Sequence, residues 1–320
     1  MTRYVLRRIL HAGALLVLIS VLSFALLQLA PGNYLDAMRL DVRISAETAS
    51  AWRDRYGLDQ PIPVQYLSWL RSALHGEFGF SFAYGIPVGA LLWPRMKNTL
   101  LLTTLACAAS WSAALTIGVV AAANRSRALD KLIRGSMALL ISIPDLLIAL
   151  ALLMFAARTG FLPVGGMQGA ISVSASALTG NIAAHLMLPV LALVLGSLPV
   201  LVRHVQAAVQ ESLASSFVQA ARAHGIPRRR LWYAYTLPGA ANPLISMFGY
   251  SIGGLLSTSL LVEVIMGWPG LGPLLLDAVF SRDVHVVIGA TVLSALFLIT
   301  GNLIADILLY AADPRIRQEK

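Results

Sequence analysis

The chain has only one cysteine among its 320 residues, and acidic and basic residues make up just 12% of the sequence. A single thiol cannot form an intrachain disulfide, so the fold must depend on other interactions. The thiol belongs to Cys107 in an apolar stretch, and we expect it to be inert. Because 58% of the residues are hydrophobic, too little polar surface remains for soluble domains of this size. The composition therefore predicts an integral membrane protein.

The sequence also lacks the patterns of the common catalytic and metal sites. Its three lysines, Lys97, Lys131 and Lys320, follow no glycine-rich phosphate loop, which excludes nucleotide hydrolysis by a P-loop in this chain. Its histidines have no histidine four residues away and no thiolate nearby, so no metal site is predicted. We expect a chain that is not an enzyme and that binds no cofactor itself.

One segment does match a catalytic pattern, since residues 249–253 read G-x-S-x-G around Ser251. Asp277, Asp283 and His285 follow in the order that some serine hydrolases use. That motif works because a strand-to-helix elbow exposes the serine, whereas here it lies in the middle of an apolar stretch. We interpret the segment as helix packing, and a six-span intramembrane serine protease using Ser251 is the alternative from another functional class.

Six windows are long and apolar enough to cross a bilayer, whose core of about 30 Å needs roughly 20 helical residues. They cover residues 9–30, 99–123, 135–157, 183–202, 240–262 and 286–310. Of all the acidic and basic side chains, only Asp145 and Asp306 fall inside these windows. That partition is too sharp for a soluble protein. With no strand pattern in the windows, the prediction is an all-α integral membrane fold with six transmembrane helices.

The formal net charge of +9 predicts the orientation of these spans. Segments on one side, at 1–8, 124–134, 203–239 and 311–320, carry 15 Lys and Arg in 66 residues. The other side carries 9 in 116 residues, most of them in one long loop. By the positive-inside rule both termini are cytoplasmic, and the nucleic-acid binding that a basic chain first suggests is not expected.

This topology divides the chain into four parts. They are the N-terminal tail and first span (1–30), an extracytoplasmic loop (31–98), a core of five spans with a cytoplasmic loop at 203–239 (99–310), and a cytoplasmic tail (311–320). Helical spacing in the outer loop predicts short helices at 45–56 and 64–74. We interpret this loop as a docking surface, with a plain lid as the alternative.

Polar residues inside the predicted spans mark a candidate translocation path. Span three carries Pro144 and Asp145 at its centre, which predicts a kink and a carboxylate at membrane depth. The alternative is that Asp145 binds backbone groups freed by the proline. Span five is rich in small and polar residues, including Ser246, Ser251 and Ser257. It should pack against protein or line a polar path, because such a helix is poorly suited to face lipid.

A dense turn cluster at residues 267–273 follows span five, and an apolar stretch too short to cross a membrane comes after it. We expect a short helix on the outer face and an outer gate at Trp268, Pro269 and Gly270. A plain connector is the alternative.

The cytoplasmic segment 203–239 is predicted to extend the fourth span as a helix, to stop at Gly225 and Pro227, and to restart at Arg228. One small, mostly apolar stripe is formed by Phe217, Ala220, Ala221 and His224. A short exposed helix of this kind suits a groove on another protein. The arginines 228–230 could equally be a positive-inside signal or a contact to lipid headgroups.

The segment 203–239 contains a motif that is defined by the spacing of its residues. Gln219, Ala220 and Ala221 are followed by Gly225 and, nine residues later, by the tetrapeptide Tyr235-Thr236-Leu237-Pro238. This resembles the E-A-A-x3-G-x9-I-x-L-P loop of membrane subunits in bacterial ABC importers. Gln219 replaces the usual Glu and Tyr235 the usual Ile, so a salt bridge from the first position cannot be carried over.

Shorter signatures over the whole chain are similar to those of one branch, the dipeptide and oligopeptide importer permeases. They are Arg3-Tyr4, Arg7-Arg8, Leu29-Ala30-Pro31-Gly32, Tyr56-Gly57-Leu58-Asp59-Gln60-Pro61, Ser142-Ile143-Pro144-Asp145, Pro269-Gly270-Leu271-Gly272, Ser281-Arg282-Asp283 and Asp313-Pro314-Arg315-Ile316-Arg317.

The resemblance implies a type I importer permease in the bacterial cytoplasmic membrane. Such a subunit forms a heterodimer with a homologous permease, rests on two cytoplasmic ATPases that bind the ATP and Mg, and receives solute from an extracytoplasmic binding protein. It also implies that one set of residues contacts an ATPase: Gln219, Ala220, Ala221, Arg222, Gly225 and Arg228. Importers of nickel chelates, glutathione or opines in the same branch are the alternative, and a passive channel would not need this loop.

Overall fold

The structure is a computed structural model that describes residues 2–29, 60–123, 126–166 and 175–312. The predicted helix at 45–56 lies outside the described residues. The predicted helix at 64–74 is confirmed, and it begins two residues earlier, directly after Pro61.

Helices make up most of the described chain. They are α1 (Thr2–Leu29), α2 (Ile62–Leu74), α3 (Val88–Ala123), α4 (Arg127–Ile141), α5 (Asp145–Thr159), α6 (Ala175–Ala214), α7 (Ser216–Ala223), α8 (Arg228–Arg230), α9 (Leu237–Met266), α10 (Leu271–Phe280) and α11 (Val284–Ala312). A π-helix, Leu231–Thr236, joins α8 to α9. Two short antiparallel strands, β1 (Phe80–Ser81) and β2 (Ile86–Pro87), pair Phe80 with Pro87 and Ser81 with Ile86.

The all-α membrane class is confirmed. Within the described residues, five helical segments are long and apolar enough to span a bilayer, and the bent pair α4 and α5 makes a sixth when it is counted as one span. The five segments are Leu6–Leu26, Val88–Ala123, Ile182–Ala214, Arg228–Met266 and Val284–Tyr310. Several helices extend beyond the predicted windows, because the hydropathy of a window locates the apolar part of a helix and not its ends.

The third predicted span differs from the expectation of one kinked helix over residues 135–157. The helix stops before Pro144, a new one starts at Asp145, and the two axes differ by 95°. Pro144 is extended, with φ −57° and ψ 141°, and its carbonyl accepts hydrogen bonds from the N–H groups of Leu147 (2.9 Å) and Ile148 (3.1 Å). A proline at this place begins a helix well but cannot donate to the one before it, so the chain breaks here.

Contacts divide the chain into two compact units, Met1–Thr99 with Pro269–Ile299 and Leu100–Trp268 with Thr300–Lys320. In the first unit, the buried carboxylate of Asp283 binds the β-hairpin to the start of α11. Asp283 Oδ2 accepts hydrogen bonds from Ser81 Oγ (2.6 Å) and the Ala83 N–H (3.2 Å), and Oδ1 accepts one from the Val286 N–H (3.4 Å). No part of Asp283 is exposed, so the carboxylate replaces its lost hydration with these donors.

The same hairpin carries Tyr84 at its tip, where the phenol O–H donates to Asp277 Oδ2 at 3.4 Å. Partial burial, and after it the charge of Asp277, raises the pKa of Tyr84. The phenol is therefore neutral at physiological pH and remains a donor. The turn before α10 is held in this unit too, because Asn98 Nδ2 donates to the Pro269 carbonyl and the Leu271 N–H donates to Thr99 Oγ1, both at 2.8 Å.

In the second unit, α6 packs against α4, α5 and α9. Two apolar clusters fill the space between these helices, one around Leu193 and Leu255 and the other around Leu201 and Val205. Gly249, predicted to be a close-packing position, is buried, and a methyl group added there would lie 2.6 Å from Cβ of Ala305. Helices in lipid associate through close van der Waals contact, which small residues of this kind permit.

We expect Asp283→Ala to release the β-hairpin, because it leaves a buried hydroxyl and two N–H groups without their acceptor. Losing buried hydrogen bonds to a charged group costs on the order of 3 kcal/mol. Limited proteolysis of the purified protein in lipid nanodiscs, followed by mass spectrometry, measures cleavage between residues 80 and 87. Asp277→Ala is the matched control, since Asp277 is exposed and binds the hairpin only through Tyr84. Equal cleavage rates in both variants would contradict the assignment.

Candidate functional sites

The first candidate site is the segment between α6 and α9, residues 215–236, called here the α7 loop. The chain leaves α6 at Ser215, which is extended with φ −66° and ψ 148°. Ser215 Oγ donates to the Ser212 carbonyl at 2.5 Å, and the Ser215 carbonyl accepts from the Gln219 N–H at 3.0 Å. The predicted extension of the fourth span is therefore present to Ala214 and is followed by a separate short helix.

Gln219 holds the start of α7 against the end of α6. Its side-chain Nε2 donates to the Leu213 carbonyl at 3.1 Å. An ionised glutamate, the residue that usually stands at this motif position, has no proton to donate to a carbonyl. The replacement of Glu by Gln thus has a physical consequence, since the amide forms a hydrogen bond that the acid could not form.

The end of α7 is the turn that the sequence predicts at Gly225. The N–H groups of His224, Gly225 and Ile226 donate to the carbonyls of residues 220, 222 and 221, at 3.0, 3.0 and 3.3 Å. Gly225 has φ +73°, a conformation in which a residue with Cβ is strained. The space around it is open, because a methyl group added there would meet no atom within 4 Å.

The structure separates the residues of the predicted coupling surface into two groups. Gln219, Ala220, Arg222, Gly225 and Arg228 are exposed, as an ATPase contact requires. Ala221 is not, because only 6% of it is accessible.

The apolar stripe predicted for α7 is accordingly wrong as a single exposed face. Ala221 lies in a cluster with Val218 and Leu231 that fixes α7 to its own chain, while Phe217 and Ala220 remain exposed. Ala221 therefore supports the α7 loop from inside. A period of 3.6 residues cannot distinguish these positions, because alanine suits both an inner and an outer face.

Three residues that sequence reasoning missed connect the base of the α7 loop to α6. Ser212 Oγ donates to the Thr236 carbonyl at 2.8 Å, and Thr236 Oγ1 donates to the Leu231 carbonyl at 3.1 Å. At Gly239, an added methyl group would lie 2.5 Å from Ser212 Oγ. These contacts hold the two ends of the α7 loop together. The glycine in the Leu-Pro-Gly sequence was the one signal that could have indicated a close approach.

Two arginines of the predicted surface, Arg222 and Arg228, line one cavity of about 560 Å³ beside the α7 loop. The rest of the lining is apolar and comes from residues 122, 123, 213, 226, 231 and 232. The guanidinium groups thus stand at the edge of an apolar recess, where a carboxylate or a backbone carbonyl of another protein could accept hydrogen bonds.

The second candidate site is a cavity of about 190 Å³ among α5, α6 and α9. Its polar lining residues are Asp145, Ser197, Tyr250, Ser251 and Thr258. Two of the four predicted path residues, Asp145 and Ser251, are therefore brought together. The other two, Ser246 and Ser257, are exposed on α9 and are not among the lining residues.

Asp145 stands at the start of α5 against the backbone of α6. A methyl group added to Gly196 would lie 2.5 Å from Asp145 Oδ1, so a larger residue there would displace the carboxylate from this position. Its position in the first turn of α5 also suits a negative charge, because the N-terminal end of a helix is electropositive. No hydrogen bond joins the carboxylate to the described backbone, which gives no support to the alternative that it binds groups freed by Pro144.

Ser251 uses its hydroxyl for packing. The Trp111 indole N–H donates to Ser251 Oγ at 2.9 Å, and Ser251 Oγ donates to the Phe248 carbonyl at 2.7 Å. Neither partner is a base that could remove the hydroxyl proton, and the residue lies inside the continuous helix α9. The geometry is that of a helix-packing serine, and it does not form the elbow that the protease alternative requires.

The predicted gate residues are packed. Trp268 is fully buried in the core of the second unit, Pro269 accepts the hydrogen bond from Asn98 described above, and Gly270 is buried. Nearby, Glu263 is a fully buried acid of α9 that the predicted window, which ended one residue earlier, did not include. Within the described residues, no group of three or more His, Cys, Asp or Glu could hold a metal ion.

The comparisons with known proteins agree on one family. Residues 114–318 match the binding-protein-dependent transport system inner membrane component, and residues 1–103 match the N-terminal region of such membrane components. The oligopeptide transport system permease protein AppB of Bacillus subtilis is 33% identical over 99% of both chains. The dipeptide transport system permease protein DppB of Escherichia coli is 31% identical over 100% of both.

Solved structures show the same fold. An inward-facing structure of the MetNI methionine ABC transporter aligns with a TM-score of 0.54 at 18% identity, covering 70% of this chain and 96% of that one. An amino acid ABC transporter crystallised with histidines aligns with a TM-score of 0.54 at 16% identity, covering 69% and 94%. Together with the family matches and the apolar spans, this shows that the chain belongs to the family of inner membrane components of binding-protein-dependent transport systems, as a multi-pass permease.

Proposed function

We propose that this chain is one of two permease subunits in an ATP-driven, binding-protein-dependent importer of di- or oligopeptides. Full-length similarity to permeases named for oligopeptide and dipeptide transport supports the peptide substrate. Nickel chelates, glutathione and opines are the alternative solutes of the same branch. The second permease is a homologue, so that the translocation path lies between two related chains.

In this proposal both termini and the α7 loop lie in the cytoplasm, where two ATPase subunits bind ATP and Mg. The observation that carries the proposal is the construction of the α7 loop. One face of α7 is fixed by Ala221, and Gln219 and Ser212 fix the two ends of the α7 loop. Ala220, Gly225, Arg222 and Arg228 remain exposed. A segment held this firmly can transmit movement, and one exposed this way can enter a cleft of a partner.

Transport then follows from the partner's ATP binding. Closure of the ATPase dimer moves the α7 loop, and the loop moves α6 and α9 because Ser212 and Gly239 join them to it. The spans alternate between outward-facing and inward-facing states, and solute delivered by the extracytoplasmic binding protein passes Asp145. The chain itself performs no chemical step, since hydrolysis takes place on the ATPases.

A size series at Gly225 tests the ATPase contact. Gly225→Ala and Gly225→Glu share the same backbone strain of about 1–2 kcal/mol, and both side chains start in open space in the isolated chain. We expect the alanine variant to keep most ATP-driven uptake and the glutamate variant to lose uptake and co-purification of the ATPase, because only the larger charged side chain holds the partner away.

Gly225→Asn, which tolerates this backbone conformation, controls for strain. Equal behaviour of the alanine and glutamate variants would refute the contact.

A second series tests Asp145 as part of the path. Gly196→Ala displaces the carboxylate without changing its charge, and Asp145→Asn removes the charge without changing its size. We expect each to reduce peptide uptake several-fold in proteoliposomes that contain the complete importer, with permease levels unchanged.

Gly254→Ala is the matched control for that series. Gly254 lines the same cavity, but an added methyl group there meets no atom within 4 Å. Its uptake should stay close to the unsubstituted level. If Gly196→Ala and Gly254→Ala reduce uptake equally, cavity volume and not the carboxylate is responsible. Unaltered uptake in Asp145→Asn would remove Asp145 from the path.

A further inference from the structure

A second concave surface lies on α6, beside the cavity at Asp145. It is a groove of about 410 Å³ between α4 and α6. Its polar lining residues are Arg134, Arg203, Gln206 and Gln210, and Ile141 is one of its apolar lining residues. Apolar side chains form part of the groove, and two guanidinium groups and two amides supply its polar atoms.

The groove and the cavity at Asp145 lie on neighbouring faces of α6. The cavity is lined by Gly196 and Val200, and the groove by Arg203, Gln206 and Gln210. Spacings of three and four residues place these five along the side of α6 where the two faces meet. At a rise of 1.5 Å per residue, Gly196 and Arg203 are separated by about 10 Å along the axis, and Gly196 and Gln210 by about 21 Å.

The residues that face α6 across the two spaces lie on the two sides of the break at Pro144. Ile141, the last residue of α4, lines the groove, while Asp145, the first residue of α5, lines the cavity. Only the three residues of the break separate Ile141 in the groove from Asp145 in the cavity. The two spaces therefore lie next to one another along α6. Within their mainly apolar linings, the polar side chains include an acid in the cavity and arginines in the groove.

The two arginines differ in their availability. Arg134 NH2 lies 2.7 Å from Asp130 Oδ2, four residues earlier on α4, so its charge is largely compensated. Arg203 is exposed and has neither a hydrogen bond nor an ion pair among the described residues. Arg203 is thus the cation in the groove that can bind an external anion.

We propose that this side of α6 is the cytoplasmic half of the translocation path and that Arg203 binds the free carboxylate of a solute after it has passed Asp145. The inference rests on the proposed peptide importer. A zwitterionic peptide carries an ammonium group that Asp145 attracts and a carboxylate that Arg203 attracts, and each contact at an exposed site is weak enough to be left again. Gln206 and Gln210 continue the polar face with uncharged amides that neither repel nor trap the solute.

Cysteine accessibility tests whether the groove is part of an aqueous path. Because Cys107 is the chain's single cysteine, Cys107→Ala gives a cysteine-free background. Gln206→Cys and Gln210→Cys are introduced into the complete importer, with His204→Cys on α6 as an exposed control that does not line the groove. A charged, membrane-impermeant maleimide is added on the cytoplasmic side, and the labelling rate is measured with and without ATP, binding protein and its solute.

We expect positions 206 and 210 to be labelled, and turnover to change their labelling rates at least several-fold while the rate at 204 stays the same. Absence of labelling at both groove positions, or rates indifferent to turnover, would overturn the path. This readout uses whichever solute the binding protein carries, so it can succeed even if the solute is not a peptide.

Charge removal tests the role of Arg203. Arg203→Gln should lower peptide uptake about two- to fivefold, the effect of losing one exposed ion pair, in liposomes of phosphatidylcholine and in liposomes that also contain phosphatidylglycerol. Arg229→Gln removes the same charge from an exposed position outside the groove and should leave uptake unchanged.

A loss confined to the phosphatidylglycerol liposomes would assign Arg203 to a lipid headgroup, and no loss in either would remove it from the path. Failure of the unsubstituted complex to carry any peptide would instead refute the proposed function.

Discussion

The close approach of α6 to its neighbours is the constraint on which the second unit depends. At three heights along α6, a glycine allows the contact. Gly118 of α3 meets Val205, where an added methyl group would lie 2.6 Å from Cγ1, Gly196 meets Asp145, and Gly239 meets Ser212. Between lipid-embedded helices there is little hydrophobic gain from association, so van der Waals contact and hydrogen bonds must supply the stability. Larger side chains at these positions would separate the helices and remove both.

In the proposed mechanism, these contacts give α6 a mechanical role as well as a structural one. Ser212, which binds the base of the α7 loop, and Gly196, which faces Asp145, lie sixteen residues apart on one continuous helix, or about 24 Å. A continuous helix cannot bend freely over such a distance, even though Pro199 interrupts its hydrogen bonds at one point. In the proposed mechanism, a displacement at the α7 loop is therefore felt at Asp145 without a separate signalling element.

Sequence reasoning could predict what depends on local composition. The spans follow from hydropathy, the end of α7 from Gly225, and the short apolar helix α10 from the turn residues before it. What it could not predict depends on partners distant in the chain. The hairpin at residues 80–87 has too few residues for an alternating pattern, and its buried partner Asp283 lies 202 positions after Ser81.

The break at Pro144 shows the same limit within a site that was otherwise recognised. Proline indicates that a helix is interrupted, but whether the result is a kink or a 95° turn depends on how the following helix packs. Here the carboxylate of Asp145 lies against Gly196 of α6, a tertiary match with no local signal. Gln219 and Ala221 are similar cases, because the motif spacing located them correctly while their hydrogen bonds and burial depend on residues 213, 218 and 231.

For the arginines on the predicted cytoplasmic side, the effect of charge on orientation and a role in binding are separate properties. Every one of them contributes equally to the positive-inside count, so that count cannot identify a binding residue. The cavities do distinguish them, because Arg222 and Arg228 line the recess beside the α7 loop and Arg203 lines the groove on α6, whereas Arg229 and Arg230 line neither. The run at 228–230 therefore combines one residue that lines a recess with two that line neither space. A charge needed only for orientation can be exchanged for lysine at little cost, but one that must bind a planar carboxylate in a recess cannot, because lysine lacks the guanidinium fork.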